Sequence, residues 1–338
     1  MMIQPHDERD RIATMADHAP LNPSLKRATA GTTATAKKRR SFSPLTQRDK
    51  VTLAFMLGVP AFVHIALVWL PTLGSVVLSF TRWNGIGGLA AIKPIGIKNY
   101  HDIATIYPPF WPALQHNLIW LGFFLLIATP FGMFLAVLLD REIRGSRFYQ
   151  GILFLPVILS LAIVGFIWEL IYAPEQGLIN NVLGRTQQGH IIDWLGNPHL
   201  NLWAILVASG WRQAGYIMIL YLSGLKSVDP TLREAASVDG ANAVQTFFRV
   251  VFPALQPINI VVLVVTVIES LRAFDIVYVI NKGTNGLELL SVLVTNNIIG
   301  EASRVGFGSA LAVILLVISV TFIIIYLTRT FQEEDKAA

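Results

Sequence analysis

Apolar residues gather into six long runs, near Leu53–Phe80, Leu118–Leu139, Gly151–Tyr172, Leu202–Leu225, Ile258–Ile280 and Phe307–Leu327. Each has the length, about 20 residues or more, that a helix needs to cross the hydrocarbon of a bilayer. Backbone groups in lipid must pair within their own segment, so each run is predicted to be a membrane helix. The first run is long and holds Pro60 and Pro71, which predicts a kinked or overlong span. Thr81–Gln115 and Ala173–Asn201 are the long polar interruptions on one side, with room for small amphipathic helices. The pattern predicts an all-α integral membrane protein with six transmembrane helices.

Composition agrees. Of 338 residues, 54% are hydrophobic and only 14% charged, with a mean hydropathy of +0.57 and a net charge of +5. Cysteine is absent, so no disulfide framework is expected. Residues 1–50 are rich in Ala, Thr, Pro and charge without a periodic apolar face, and are expected to be a disordered tail. The Lys37–Arg40 run in that tail suits an anchor to anionic lipid better than a nucleic-acid patch, because a membrane span follows closely. The tail lacks the plan of a secretory signal peptide.

Lys and Arg orient the chain. The tail holds ten, the loop at 140–148 holds Arg141, Arg144 and Arg147, the segment 226–257 holds Lys226, Arg233 and Arg249, and the end holds Arg329 and Lys336. The opposite side holds Arg82, Lys93, Lys98, Arg185, Lys282 and Arg304. The positive-inside rule therefore places both termini in the cytoplasm, with much of the bias carried by the tail. The expected organisation is the tail 1–50, a six-span membrane domain 51–330 containing the cytoplasmic loop 226–257, and a short cytoplasmic end, 331–338.

That loop has the punctuation of two short helices. Asp229-Pro230 supplies an N-cap and a proline at the first helical position. Gly240 can take the left-handed conformation that ends the first helix, and Ala241–Val251 can form the second, stopped by Pro253 and Pro257. Ala235 and Ala236 would let a partner surface approach closely, flanked by the charges of Glu234 and Asp239.

The fifth run is chemically unusual. Glu269, Arg272 and Asp275 lie three apart, so on a continuous helix they would share one face. Glu269 would sit about 16 Å along that helix, near mid-bilayer. Arg212 lies mid-way along the fourth run, beside Trp211. Each charge at a span centre costs about 2.5–3.5 kcal/mol, so these groups must pair or face protein or water. They can be a self-neutralising ladder that joins helices, a polar lining for a solute route, or both. Trp168, Tyr172, Trp211, Tyr216 and Phe274 offer aromatic faces nearby; the plainer reading of most is membrane filler.

Several chemistries find no support. There is no Gly-Lys dipeptide and hence no Walker A loop, no HExxH, no His pair at i,i+4 and no GxSxG elbow. No metal site and no catalytic residues are expected, and His64 suits a packed histidine better than a proton relay. Gly85–Ala90 fits GxGxxA but lies in an outer loop, where it has no dinucleotide context.

Glu234-Ala235-Ala236, Asp239-Gly240-Ala241, Phe247, Val251, Pro253 and Pro257 together resemble the EAA signature of permease subunits of bacterial ABC importers. The Asp-Gly-Ala version is similar to the carbohydrate-uptake, maltose-type branch. Phe274–Val279 looks like the branch's FD segment, Gly306–Ala312 like the start of its last span, and Gly177–Asn181 and Trp194–Pro198 like outer stretches common there. Asn281–Gly286 departs from the usual Gly-Gly-Pro. The resemblance covers most of 51–330. It implies a type I ABC importer permease fold in a bacterial inner membrane, with the 234–257 loop as a coupling helix docked on an ATPase. It also implies a second homologous permease, two ATP-binding subunits that hold ATP and Mg, and an extracytoplasmic solute-binding protein, with no cofactor and no nucleic acid bound here. The solute implied is a sugar, oligosaccharide or polyol. A secondary transporter or channel would explain the membrane charges, but the six runs show no internal repeat and the loop signature would go unexplained; a membrane-embedded enzyme lacks any nucleophile–base or metal constellation.

Overall fold

Proline decides the shape of several of these helices. In the computed structural model, which describes residues 46–141, 144–185, 190–300 and 303–337, three helices widen into a single π-turn, at Ile65–Trp69, Phe124–Ala128 and Phe247–Val251. Each ends two residues before a proline, Pro71, Pro130 or Pro253. A proline ring collides with the carbonyl four residues back, and those carbonyls (Leu67, Leu126 and Arg249) lie inside the π-turns. Widening lets the residue before each proline bond five residues back instead: Leu70 to Ile65, Thr129 to Phe124 and Phe252 to Phe247.

The chain forms two compact units, one up to Val63 and one from His64. In the first, helix α1 (Gln47–His64) starts behind a reciprocal cap: the Thr46 amide donates to Asp49 at 3.0 Å and the Asp49 amide to the Thr46 hydroxyl at 3.3 Å. Helix therefore begins inside the stretch expected to be disordered; residues 1–45, with Lys37–Arg40, lie outside the described residues.

The second unit runs α2 (Leu70–Leu78), a two-stranded antiparallel ribbon of β1 (Thr81–Arg82) and β2 (Lys93–Pro94), α3 (Lys98–Thr105), α4 (Phe110–Phe123), α5 (Thr129–Asp140), α6 (Ser146–Ile158), α7 (Leu161–Ile171) and α8 (Leu178–Val182). It continues with α9 (Asn201–Ser227), α10 (Pro230–Val238), α11 (Ala243–Thr246), α12 (Phe252–Ala254), α13 (Gln256–Leu271), α14 (Asp275–Asn281), α15 (Leu290–Ile298) and α16 (Val305–Ala337). Helix thus persists to Ala337, past the expected boundary at 330.

Among the described residues three stretches are long and apolar enough to cross a membrane: Gln47–Leu78, Phe110–Asp140 and Val305–Thr328. Two more qualify only as bent pairs, Ser146–Ile158 with Leu161–Ile171 at 100° and Ala243–Ala254 with Gln256–Asn281 at 76°. The fourth run, α9, has 27 residues but is diluted by Arg212 and Gln213. Its position accounts for this. Ile205, Leu206, Ala208, Ile217 and Met218 are fully buried, so α9 is the core of the unit and meets protein on most sides. It packs most extensively on α5, where a Cβ on Gly132 would stand 2.7 Å from the Ala214 carbonyl and 2.8 Å from Ile217 Cβ. Large apolar side chains on α2, α7 and α16, among them Leu73, Phe166 and Val317, are exposed. A bilayer solvates such faces; water would not.

Candidate functional site: a capped loop and a broken mid-span helix

The loop after α9 is built from its caps. The Asp229 carboxylate accepts from the Thr231 amide at 2.9 Å, and hydrogen bonds from Thr231 hold its pKa below the ordinary value. Pro230 opens α10. Gly240 closes it at φ 79°, as its sequence position suggested. A capping box follows, with Asn242 Oδ1 accepting from the Gln245 amide at 2.9 Å and Gln245 Oε1 from the Asn242 amide at 3.0 Å. The second helix consequently starts at Ala243, not Ala241. It also runs through Pro253 to Ala254, because the π-turn relieves the proline; the break falls at Leu255.

Glu234, Ala235 and Asp239 are exposed, whereas Ala236 is 7% exposed and packs inward. The two alanines therefore differ: Ala235 faces outward and Ala236 is covered by its own chain. The outward surface adds Val238, Val244 and Phe248, with Val238 86% exposed. Phe247 is half-buried and meets Phe248 edge-on at 5.1 Å; Ala241 is half-buried and Pro253 exposed. Arg233, which the signature does not mark, ties the loop to the membrane helices. Its guanidinium donates to Asp140 at the end of α5 at 2.7 Å and to the Leu225 carbonyl of α9 at 3.3 Å.

The second feature lies in the fifth run. α13 stops at Leu271, Phe274 is out of helical conformation (φ −140°), and α14 starts at Asp275. Glu269, Arg272 and Asp275 are therefore not a ladder on one continuous face. Among the described residues none of them has an ion-pair partner within 4.0 Å. Arg272 instead sits at the negative C-terminal end of α13 and Asp275 in the first turn of α14, each matching its local helix dipole. Side chains from elsewhere satisfy the backbone freed by the break. Asn117, fully buried, donates to the Leu271 carbonyl at 3.5 Å and accepts from the Leu290 amide at 2.9 Å. The Ser291 hydroxyl donates to the Ala273 carbonyl.

The break opens beside a cavity of about 30 Å³ lined by Ser209, Arg212, Gln213, Glu269, Arg272 and Asp275 together with Trp120 and Phe274. Arg212, Glu269, Arg272 and Asp275 are thus brought together. Trp211 is not in the lining; it is 40% exposed and packs edge-on against Trp168 at 5.9 Å. Ser209 Oγ, Arg212 Nε, Gln213 Nε2 and Trp120 Nε1 are buried without a hydrogen-bond partner, and Gln213 is only 2% exposed. Such groups are costly in an apolar interior unless a polar molecule meets them, and the cavity offers such a molecule four free polar atoms. Its volume suits one or two waters; a sugar ring would require the helices to part. Asn117, Ser209, Gln213 and Ser291 were missed from sequence, although polar residues set in or beside apolar runs were the available signal.

Residues 128–333 match the family described as binding-protein-dependent transport system inner membrane component. The chain belongs to that family. It is an ABC importer permease, and its relatives match nearly end to end. A xylose/arabinose import permease of Haloferax volcanii is 31% identical over 84% of this permease and 90% of its own length. An osmoprotective compounds uptake permease of Synechocystis is 32% identical over 83% and 99%. A probable ABC transporter permease of Pyrococcus horikoshii is 29% identical over 83% and 94%. The permease shares its fold with the crystal structure of a bacterial ABC transporter involved in import of the acidic polysaccharide alginate, at TM-score 0.71 and 22% identity over 84% and 96% of the two chains.

Proposed function

We propose that this permease lines the path of an ATP-driven importer for a sugar, oligosaccharide or polyol, and that it is itself non-catalytic. The carrying observation is the polar cavity beside the break at Leu271. Its unpartnered Ser209, Gln213 and Arg212 groups, with Trp120 adjacent, are the donors and aromatic surface that a polyhydroxylated solute uses. The relative named as a xylose/arabinose import permease supports the same solute class.

The loop 226–257 couples the path to ATP hydrolysis in a partner. Its exposed Glu234, Ala235, Val238 and Phe248 form a helical face of the kind that docks in a groove. A second homologous permease, two ATP-binding subunits holding ATP and Mg, and a solute-binding protein complete the assembly. Both termini and this loop face the cytoplasm, as the Lys and Arg distribution favours.

The test is uptake of radiolabelled pentoses, oligosaccharides and polyols into vesicles holding the whole importer, with and without internal ATP. Gln213→Leu should lower uptake at least ten-fold while the assembly still co-purifies. ATP-independent uptake, or undiminished uptake by Gln213→Leu, would overturn the reading.

A further inference from the structure

A second cavity, larger than the one beside the break, is a cleft of about 750 Å³ between the β1–β2 ribbon, α3 and the start of α16. Arg82, Lys93, Lys98 and Arg304 line it, with Asp102 as the one carboxylate among the described residues of the lining. Asp102 is 3.7 Å from His101, and among the described residues no carboxylate comes within 4.0 Å of the four cations. Glu301 lies outside the described residues. The guanidinium of Arg304 rests over the Phe307 ring at 5.0 Å. Trp83 and Tyr107 add aromatic walls.

Three observations together define what the cleft takes. First, the cations concentrate. Of the six Lys and Arg that the topology places on the outer side, four converge here, while Arg185 and Lys282 do not. Like charges gathered in one space hold a strong positive potential that calls for an anion. Second, the cleft lies at the ends of two spans. Arg82 follows the end of α2 at Leu78 by four positions, and Arg304 immediately precedes α16. That is the level where hydrocarbon meets headgroups, and where Trp and Tyr gather. Third, the flanks are apolar and uncovered. Ile86 and Leu89 in the ribbon's loop, Ile97 before α3, and Ile106 in the cleft wall are all exposed, Leu89 to 84%.

We propose that this cleft binds an anionic phospholipid, with its phosphate among Arg82, Lys93, Lys98 and Arg304 and its acyl chains along Ile86, Leu89, Ile97 and Ile106. A soluble anion, or an acidic sugar, would satisfy the cations and leave those four apolar side chains in water; an amphiphile satisfies both. Arg and Lys divide the work, the forks of Arg82 and Arg304 gripping phosphate oxygens while the lysines act as point charges. The site needs only a membrane surface and works in either leaflet, so it stands apart from the transport reading.

The test uses the full chain in nanodiscs of phosphatidylcholine containing graded phosphatidylglycerol, with retained lipid counted by native mass spectrometry. The wild type should retain phosphatidylglycerol in preference to phosphatidylcholine. Each of Arg82→Gln, Lys98→Gln and Arg304→Gln should weaken retention about five-fold, and the three together about a hundred-fold, the scale of one basic residue near an anionic surface. The paired control Arg185→Gln with Lys282→Gln should retain lipid as the wild type does. All four positions Arg82, Lys93, Lys98 and Arg304 are exposed, so the single variants keep their fold. Equal retention by wild type and triple variant, or displacement of the lipid by millimolar inorganic phosphate, would overturn the proposal; the second would mark a free-anion site. Binding of a solute-binding protein that falls in the triple variant while lipid retention holds would overturn it in favour of a protein dock.

Discussion

Arg233 and Asp140, 93 positions apart, meet at 2.7 Å and form a polar tie between the loop 226–257 and helix α5. α5 packs on α9, the core of the bundle, so under the proposed coupling role this ion pair and the Leu225 carbonyl would carry loop movement to the centre of the molecule, beside the apolar packing of Phe247, Val251 and Leu255. The pair is partly exposed and should contribute about 1 kcal/mol. Arg233→Gln and Asp140→Asn should each insert normally yet lower transport several-fold. The swap Arg233→Asp with Asp140→Arg should recover part of the loss in a double-mutant cycle. Full uptake by both single variants would show that the tie carries no coupling.

The loop's two alanines should behave oppositely. Ala235→Trp and Val238→Asp alter exposed positions, and should leave thermal stability unchanged while cutting co-purified ATPase at least ten-fold. Ala236→Trp forces bulk into a packed position and should cost the chain's own stability about 1–3 kcal/mol. Thermal melts beside pull-downs separate the two effects; loss of stability in Ala235→Trp would contradict the orientation of α10.

Gly240 is constrained by backbone alone, since nothing lies within 4 Å of a Cβ built there. Gly240→Val should therefore weaken the loop by about 1–2 kcal/mol or somewhat more, and Gly240→Asn by less. Co-purification of the ATPase should rank glycine, asparagine, valine. Equal binding by all three would mean that this turn does not position the docking face.

Gly132 is the reverse case, limited by its neighbours. Gly132→Ala should destabilise by about 1–3 kcal/mol as α5 and α9 are pushed apart. Gly122→Ala, on α4 with open space around it, is the matched control and should be neutral or slightly stabilising. Melting temperatures in detergent decide between them.

Orientation is tested directly. A reporter placed after Ala338 or within the 141–147 loop should report cytoplasm, and one at Gln188 the outside. An external signal at Ala338 would refute the membrane topology proposed here.

Much of this was legible in the chain because lipid leaves few options. Apolar runs in a bilayer must be helical, and Asp229, Pro230 and Gly240 announce their cap and turn by residue type alone. What escaped depended on contacts between distant segments. The break at Leu271 has no proline or glycine to mark it; Asn117 and Ser291 make it tolerable, from 154 and 18 positions away along the chain. Periodicity counted through Arg272 therefore put three charges on a face that does not exist. The burial of Ala236 escaped for a similar reason, since a small residue suits either a partner's approach or its own chain's packing, and sequence does not separate them. The central helix α9 was legible as apolar, but only its burial explains why it can carry Arg212 and Gln213.

The π-turns have a consequence for comparing this permease with its relatives. A π-turn houses one residue more than an α-turn, so the stretches before and after Phe247–Val251, or before and after Phe124–Ala128, are out of step by about 100° of helix rotation. A relative without the proline needs one residue fewer there to present the same faces. Alignments across these points should carry a single-residue gap at the wide turn; one forced through ungapped would match outward residues on one chain with inward residues on the other.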